Sequence, residues 1–258
     1  MRVSALLVIL ALASACAAKV FVPPTGAGVP AANAADVWKE ASSTCADVKN
    51  INATLRVALR QGRLRSPGIT VSAIATSAGQ LRLQDSTIFA MAGTAAKARL
   101  VLRQDRRYVD GRAEDIVDAF IGARIGPERL LAVLTGCFTQ APASAKTPEA
   151  VQHGSLIEVP APDGTMYLKR VSDRWHVTAG IAPGLNVEFR SFEGYWPMSW
   201  RATSTATASD PVILDVTIED RVVNDAQIDP AAFQVVTPAG FTPMTVEDLR
   251  TNGPLRKR

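Results

Sequence analysis

Apolar and polar residues alternate with a period of two over most of the chain, which is the pattern of strands with one buried and one solvated face. In ATLRVALRQGRL, Leu55, Val57 and Leu59 fall on one face, and Arg56 and Arg60 fall on the other. The same alternation recurs in GITVSAIATS, GQLRLQDS, KARLVLRQDRR, SLIEVPAP, TMYLKRVS, RWHVTAGI, NVEFRSFEG, WPMSWRATSTAT and PVILDVTIEDRVV. Strands of this kind belong to antiparallel sheets, so the sequence predicts a meander of roughly ten or eleven strands.

The segment from Ala113 to Cys137 has a helical period instead. Its first half carries an apolar stripe that includes Phe120, with acidic residues on the opposite side. Its second half begins with Gly126 as a candidate N-cap, continues with proline at the first helical position, and ends at Gly136. The segment therefore predicts two consecutive apolar helices.

Two apolar helices among strands need a sheet to cover, and this many strands are too many for a flat sheet. The predicted fold class is α+β, with a strongly curled antiparallel sheet, or half-open β-barrel, of about 10–11 strands lidded by short helices. Two further helices are expected at the ends of the domain. Asn33 and Asp36 predict a first helix that continues to about Lys49, and Thr245 with Asp248 predicts a final helical turn.

The first residues have the pattern of a secretory signal. Arg2 precedes an apolar run that is too short to span a bilayer, and small residues follow it. Ala13-Ser14-Ala15 fits an ordinary signal-peptidase site. With Cys16 the same residues also resemble the lipobox of bacterial lipoproteins, although Ala13 stands where the lipobox prefers leucine. We predict that residues 1–15 are a signal peptide and that Cys16 is lipidated, while cleavage without lipidation remains the alternative.

Residues 16–35 are rich in proline, glycine and alanine, so they predict a flexible tether after the lipidated cysteine. Residues 36–258 are predicted to form a single domain, because no second linker or internal repeat interrupts them.

Composition and motifs exclude several classes of function. The chain is 47% hydrophobic and 20% charged, which is typical of a globular protein, and its formal net charge of +4 comes without a dense basic block. We therefore expect no nucleic-acid partner. The sequence contains neither a nucleophile elbow, a zinc-protease motif, a C-x-x-C pair nor a P-loop, and its two histidines are His153 and His176. These features predict a protein that is not an enzyme and needs no metal or cofactor.

The order of elements over residues 36–250 and two particular segments resemble the LolA/LolB superfamily, especially LolB-type outer-membrane lipoproteins. The segments are GPERLLAVLTG, from Gly126 to Gly136, and NDAQIDPAAFQVVTPAG, from Asn224 to Gly240. The resemblance implies a half-open barrel lidded by helices, with an apolar cavity that holds the acyl chains of lipoproteins. It also implies a role in receiving or inserting lipoproteins at the outer membrane.

The inward positions of the predicted strands and helices supply candidates for the cavity wall. They are Leu55, Val57, Leu59, Val71, Leu81, Leu83, Leu100, Leu102, Phe120 and Leu131. Whether they enclose a hollow or simply fill a core depends on the sizes of the side chains. With a filled core, the protein would be a structural or adaptor lipoprotein of the envelope that carries no ligand.

The resemblance implies a location and partners as well. In LolB-type proteins an apolar loop between two early strands helps to transfer cargo into the membrane, and the corresponding residues here include Phe89 and Met91. The alternative is that both residues belong to a core strand. The expected location is the periplasmic face of the outer membrane. The expected partners are acyl chains of lipoproteins or other lipids, the membrane itself through the N-terminal lipid, and a periplasmic carrier protein.

The chain has three cysteines, Cys16, Cys45 and Cys137. If Cys16 carries a lipid, two remain, and both lie on apolar helical segments of a protein that is exported to an oxidising compartment. We predict a disulfide between Cys45 and Cys137, with two buried free thiols as the alternative.

Overall fold

The structure of the protein is a computed structural model. It describes residues 21–138, 149–161, 164–205 and 211–252. The predicted signal peptide and Cys16 therefore lie outside the described residues. Within the described ranges the chain forms one sheet of sixteen strands, four α-helices and a short 3-10 helix.

The strands are β1 (Val29–Pro30), β2 (Asn50–Gln61), β3 (Leu64–Arg65), β4 (Ile69–Thr76), β5 (Gln80–Gln84), β6 (Phe89–Thr94), β7 (Ala98–Leu102), β8 (Arg107–Gly111), β9 (Val151–His153), β10 (Leu156–Ala161), β11 (Gly164–Val171), β12 (Arg174–Ala182), β13 (Leu185–Glu193), β14 (Trp196–Ser204), β15 (Val212–Val223) and β16 (Thr242–Pro243). The helices are α1 (Ala34–Ala41), α2 (Ala113–Ile121), α3 (Pro127–Thr135) and α4 (Val246–Asn252), and the 3-10 helix spans Pro230–Phe233.

The strands run in the order β1-β9-β10-β11-β12-β13-β14-β15-β2-β4-β5-β6-β7-β8-β16, with β3 paired to β2 outside this path. All described pairings are antiparallel except that of β16 with β8. Because β1 and β16 end the path without pairing to each other, the sheet is open. This confirms an α+β fold with a large antiparallel sheet, whereas the strong curl stays a prediction.

The structure has more strands than the sequence predicted. Besides the short strands β1, β3, β9 and β16, the additions are β6 and β8. In the sequence, the residues of β6 fit either a protruding loop or a core strand, and β8 follows a turn whose charged residues do not alternate clearly with apolar ones.

Helices α2 and α3 lie where the helical period predicted them. The left-handed residue Gly136, with φ of 72°, ends α3, and Gly126 precedes its first residue, Pro127. At the C-terminus, the Thr245 hydroxyl accepts a hydrogen bond from the Asp248 backbone N–H at 3.0 Å, and the Asp248 carboxylate accepts one from the Thr245 N–H at 3.0 Å. This reciprocal capping box confirms the predicted start of α4.

The first helix is shorter than predicted, since α1 ends at Ala41 and does not reach Lys49. Three residues of low helix propensity follow it, and the Ser42 hydroxyl donates a hydrogen bond to the Trp38 carbonyl at 2.7 Å. The predicted cap is also wrong, because the Asn33 side chain makes no capping hydrogen bond.

The described part of the predicted tether is packed against the sheet. Val29 and Pro30 form β1, which pairs with β9, and the Phe21 ring lies 5.0 Å from the Tyr167 ring. Helix α1 already begins at Ala34. Part of this segment therefore contacts the sheet, while the domain boundary at residue 36 stays a prediction.

A disulfide joins Cys45 to Cys137, with the Cα atoms 5.5 Å apart, as predicted. Cys45 lies in the turns after α1, which packs on β12, and Cys137 follows α3, which packs on β2, β4, β5 and β14. The bond therefore connects the turns after α1 to the end of α3, and so joins two of the helical segments that cover the sheet.

Candidate functional site

An apolar cavity of about 200 Å³ lies between the sheet and helices α2 and α3. Its floor is built by the alternation of side chains along β2, which places Leu55, Val57 and Leu59 on one face. The neighbouring strands continue this face on both sides. The apolar floor of the cavity therefore reflects the period-two pattern in the sequence.

The register of the sheet arranges the floor in rows across the strands. In one row Val57 lies opposite Ile69 of β4 on one side and Val216 of β15 on the other, and Val216 lies opposite Trp200 of β14. All four of these side chains line the cavity. In the next row toward the C-terminal end of β2, Leu59 lies opposite Leu214.

The far wall comes from β5 and β6. Leu83 lies opposite Met91, and the Phe89 ring contacts the Phe120 ring of α2 edge-on, with centroids 5.1 Å apart. The helices and the link between them close the cavity from above with aliphatic and aromatic side chains. These roof residues are Val117, Phe120, Ile121, Ile125 and Leu130.

The mouth of the cavity lies at one rim of the sheet, where β2, β5 and β7 end and β4, β6 and β8 begin. Its lining residues are Leu64, Arg65, Ser66, Pro67, Ile88 and Gln104. Leu64 is 39% exposed, and Ile88 is half-buried. The opening is therefore apolar on the inside and partly polar at its edge.

Asp85 fixes the turn that carries Ile88. Its Oδ1 atom accepts hydrogen bonds from the Thr87 N–H at 2.7 Å, the Thr87 hydroxyl at 2.9 Å and the Ile88 N–H at 2.7 Å. Burial raises the pKa of the Asp85 carboxyl, but these hydrogen bonds and the charge of Arg103 outweigh that effect, so the pKa lies below its ordinary value. An ionised carboxylate with three hydrogen bonds thus fixes the turn at this edge of the mouth.

Seven of the ten residues that the sequence predicted for the cavity wall line it. These are Leu55, Val57, Leu59, Val71, Leu81, Leu83 and Phe120. Leu100, Leu102 and Leu131 are fully buried without lining it. Leu100 and Leu102 belong to β7, which α2 covers directly, and on α3 the neighbouring Leu130 occupies the wall position instead of Leu131.

The predicted membrane-insertion loop is wrong in its placement. Phe89 and Met91 lie in strand β6, are only 5% and 2% exposed, and both line the cavity. The structure thus places them in the core, which was the alternative interpretation. The lining residues that the sequence analysis missed include Ile69, Ile88, Trp200, Leu214 and Val216.

Two other classes of site find no support in the described ranges. No cluster of three or more His, Cys, Asp or Glu side chains there could hold a metal ion. His176 is buried beside the Phe192 ring, 4.3 Å away, and His153 lies 3.3 Å from Glu158. No helix in the same part of the chain has the length and apolar character required to cross a membrane.

No family model and no curated protein matches the sequence. The chain is similar to the solved structure of a domain described as an outer membrane lipoprotein-sorting protein from Vibrio parahaemolyticus, at 12% identity and a TM-score of 0.48, covering 76% of this chain and 94% of that one. It is similar to a LolA superfamily protein from Nitrosomonas europaea, at 7% identity and a TM-score of 0.47, covering 80% and 99%. It is also similar to a DUF1329 family protein from Desulfovibrio piger, at 8% identity and a TM-score of 0.46. This match covers 80% of this chain and 98% of that one. A LolA superfamily protein and a lipoprotein-sorting domain are thus among the solved structures that this chain resembles. Identities and TM-scores this low establish neither the family of the chain nor what it binds.

Proposed function

We propose that this protein is an envelope lipoprotein that binds acyl chains in its apolar cavity and takes part in the localisation or insertion of lipoproteins at the outer membrane. The observation that supports this proposal is the cavity itself. It is lined by side chains that are almost all aliphatic or aromatic, and it opens at one rim of the sheet. An apolar hollow with an open end suits a hydrocarbon chain that enters end-on.

The size of the cavity sets how much of a chain it can take. Apolar cavities of about 150 Å³ hold a benzene-sized molecule, and typical ligand pockets have about 300–1,000 Å³. At about 200 Å³ the cavity accommodates the end of one chain. The remainder would lie at the mouth against the half-exposed side chains of Ile69, Leu83 and Ile88. Each methylene removed from water contributes about 0.8 kcal/mol, so partial entry is enough for measurable affinity.

The anchor and the location belong to the same proposal. Acylation of Cys16 would hold the domain at the periplasmic face of the outer membrane. A periplasmic carrier would deliver the acylated cargo, and the protein would bind and release the chain without a chemical step. The rival proposal, an adaptor lipoprotein with a filled core, leaves the hollow above β2 and β4 without a use.

The experiment compares one purified lipoprotein in two forms, with and without its acyl chains, for complex formation with the mature protein extracted from its own membrane. We expect the acylated form to co-elute with the protein and the non-acylated form to elute separately. Equal binding of both forms, or of neither, would contradict the proposal. The intact mass of the same preparation tests acylation of Cys16 independently.

A further inference from the structure

One residue of the cavity wall, Trp200, carries a buried polar group that has no partner among the described residues. Trp200 is 3% exposed, and its indole N–H is buried with no hydrogen-bond acceptor among the described residues. A buried donor in this condition costs about 1–3 kcal/mol, so such groups are rare and call for an explanation. Because Trp200 forms part of the cavity wall, an occupant of the cavity could bring the missing acceptor.

The position of Trp200 along the cavity indicates which part of an occupant that would be. Trp200 lies in the row of Ile69, Val57 and Val216, near the mouth. Val71 and Leu81 line the cavity farther from this rim. A chain short enough for the cavity to hold all of its methylenes would thus place its end beside these apolar residues and its first polar atoms beside Trp200. In an acyl ester those first polar atoms are the carboxyl oxygens.

The rim beyond Trp200 carries an excess of positive charge. Arg65 lines the mouth, and Arg63, Arg103 and Arg106 are exposed in the turns at the same rim. The acids at this rim are the exposed Asp105 and the buried Asp85, whose carboxylate interacts with the charge of Arg103. No described acidic side chain forms an ion pair with these four arginines.

A neighbouring arginine shows the contrast. Arg60, opposite Arg65 in the register of β2 and β3, donates to the Asp215 carboxylate at 2.7 Å, which also pairs with Arg201 and Arg190. Arg65 has no acidic partner among the described residues.

Arg60 is three residues from Val57, so Arg65 lies about 10 Å along the strands from the row of Trp200. Three strand spacings, from β3 through β2 and β15 to β14, add about 14 Å across the sheet. The long side chains of Trp200 and Arg65 and a polar head group between them would together have to span this distance.

We propose that the cavity recognises an acyl ester with an anionic head group. The chain end lies in the cavity, the ester carbonyl accepts a hydrogen bond from the Trp200 N–H, and the head group lies beside Arg65 at the mouth. This inference rests on the proposed function, because it requires that acyl chains enter the cavity. It adds the polar features that the ligand must have.

The test measures affinities of the mature protein for three single-chain lipids of equal chain length, below the concentrations at which they form micelles. The lipids are monoacyl phosphatidylglycerol, its ether-linked analogue without the carbonyl, and monoacyl phosphatidylcholine. The variants are Trp200→Phe, which removes the N–H and keeps an aromatic ring, and Arg65→Gln. Arg170→Gln is the matched control, because Arg170 is an exposed arginine of β11 that does not line the cavity.

We expect the unmodified protein to prefer the ester to the ether by about fivefold, the equivalent of one hydrogen bond, and Trp200→Phe to abolish this preference. Arg65→Gln should weaken binding of the phosphatidylglycerol by about two- to fivefold at low salt, less at high salt, and leave the phosphatidylcholine unchanged. Arg170→Gln should have no effect.

Different failures have different meanings. If none of the three lipids binds the unmodified protein, the proposed function itself fails. If all three bind it with equal affinity, acyl binding stands and the inference about the ester and the head group is overturned. The ratio of ester to ether affinity in the unmodified protein tests the role of the carbonyl even if Trp200→Phe does not fold.

Discussion

Two regions of one sheet share the same antiparallel pattern, yet only one of them contributes to the cavity. The filled region is β10–β13, where the Phe138 ring lies so close to Gly180 that a Cβ atom there would be 2.3 Å from it. The cavity region is β2, β4–β6, β14 and β15, where helices α2 and α3 lie above aliphatic side chains. In the filled region, the Phe138 ring packs directly on Gly180 and leaves no space. In the cavity region, the helices lie above valine and leucine side chains, and space remains between the helices and the sheet.

The largest expected effect comes from breaking the covalent link between the two regions. Replacing Cys45 and Cys137 by serine should lower the free energy of unfolding by about 2–5 kcal/mol, because the disulfide constrains the unfolded chain across a separation of 92 residues. Urea unfolding with and without reductant measures it. Reductant should have no effect on the double variant, and equal midpoints for the unmodified protein in both conditions would contradict the prediction.

Enlarging one side chain in each region sharpens the contrast. Gly180→Ala should cost about 1–3 kcal/mol of stability, since the added methyl group collides with the Phe138 ring. Val57→Phe, which adds more volume, should cost less than about 1 kcal/mol because the cavity receives the ring. Chemical unfolding of the two variants gives the comparison. A larger loss for Val57→Phe would show that the cavity region is packed as tightly as the filled one.

The filled region should respond to mild acid. Burial, with the nearby charge of Arg174, lowers the pKa of the His176 imidazole below its ordinary value of 6.5, against the opposing charge of Glu40. The unfolded chain therefore binds a proton more readily, and stability should fall as the pH drops below about 6.5 and continue to fall to the folded-state pKa. Unfolding curves at several pH values measure this effect. His176→Phe should remove the loss of stability between pH 6.5 and the folded-state pKa. If the variant lost as much stability on acidification as the unmodified protein, His176 would not be the group responsible.

The mouth of the cavity should respond only to stronger acid. The pKa of the Asp85 carboxyl lies below its ordinary value of 3.8, so its contribution to stability is present above that pH and is lost as the pH falls through the folded-state pKa. At neutral pH, Asp85→Ala should cost about 1 kcal/mol and act locally, because two backbone N–H groups lose their acceptor. Hydrogen exchange of the Thr87 and Ile88 amides should accelerate. Unchanged protection of these amides would contradict the role assigned to Asp85.

Local pattern predicted the elements that depend on nearby residues. Each of these elements can be recognised from residues that lie only a few positions apart in the sequence. Examples are the alternation in β2, the glycines on either side of α3 and the capping box at Thr245 and Asp248. The disulfide followed from cysteine count and compartment. Seven cavity residues followed because they share the inward face of strands and helices that were predicted correctly.

The remaining features depend on pairing between distant segments. Trp200 and Val216 reach the cavity only because β15 pairs with β2, more than 150 residues away in sequence, and no local pattern fixes that register. Phe89 and Met91 were misplaced for a different reason. A short apolar run such as FAMAGT fits a buried strand and an exposed apolar loop equally well, and its neighbours β5 and β7 decide between the two.

Equilibrium binding of a fluorescent long-chain fatty acid to the mature protein tests most directly whether the cavity takes an acyl chain. We predict saturable one-to-one binding, weakened by about tenfold or more in Val57→Phe, since the ring displaces at least two methylenes worth about 0.8 kcal/mol each. Val222→Phe, at a residue that is 50% exposed and outside the cavity, is the matched control and should bind normally. No binding to the unmodified protein, or equal binding to the folded Val57→Phe variant, would contradict the account.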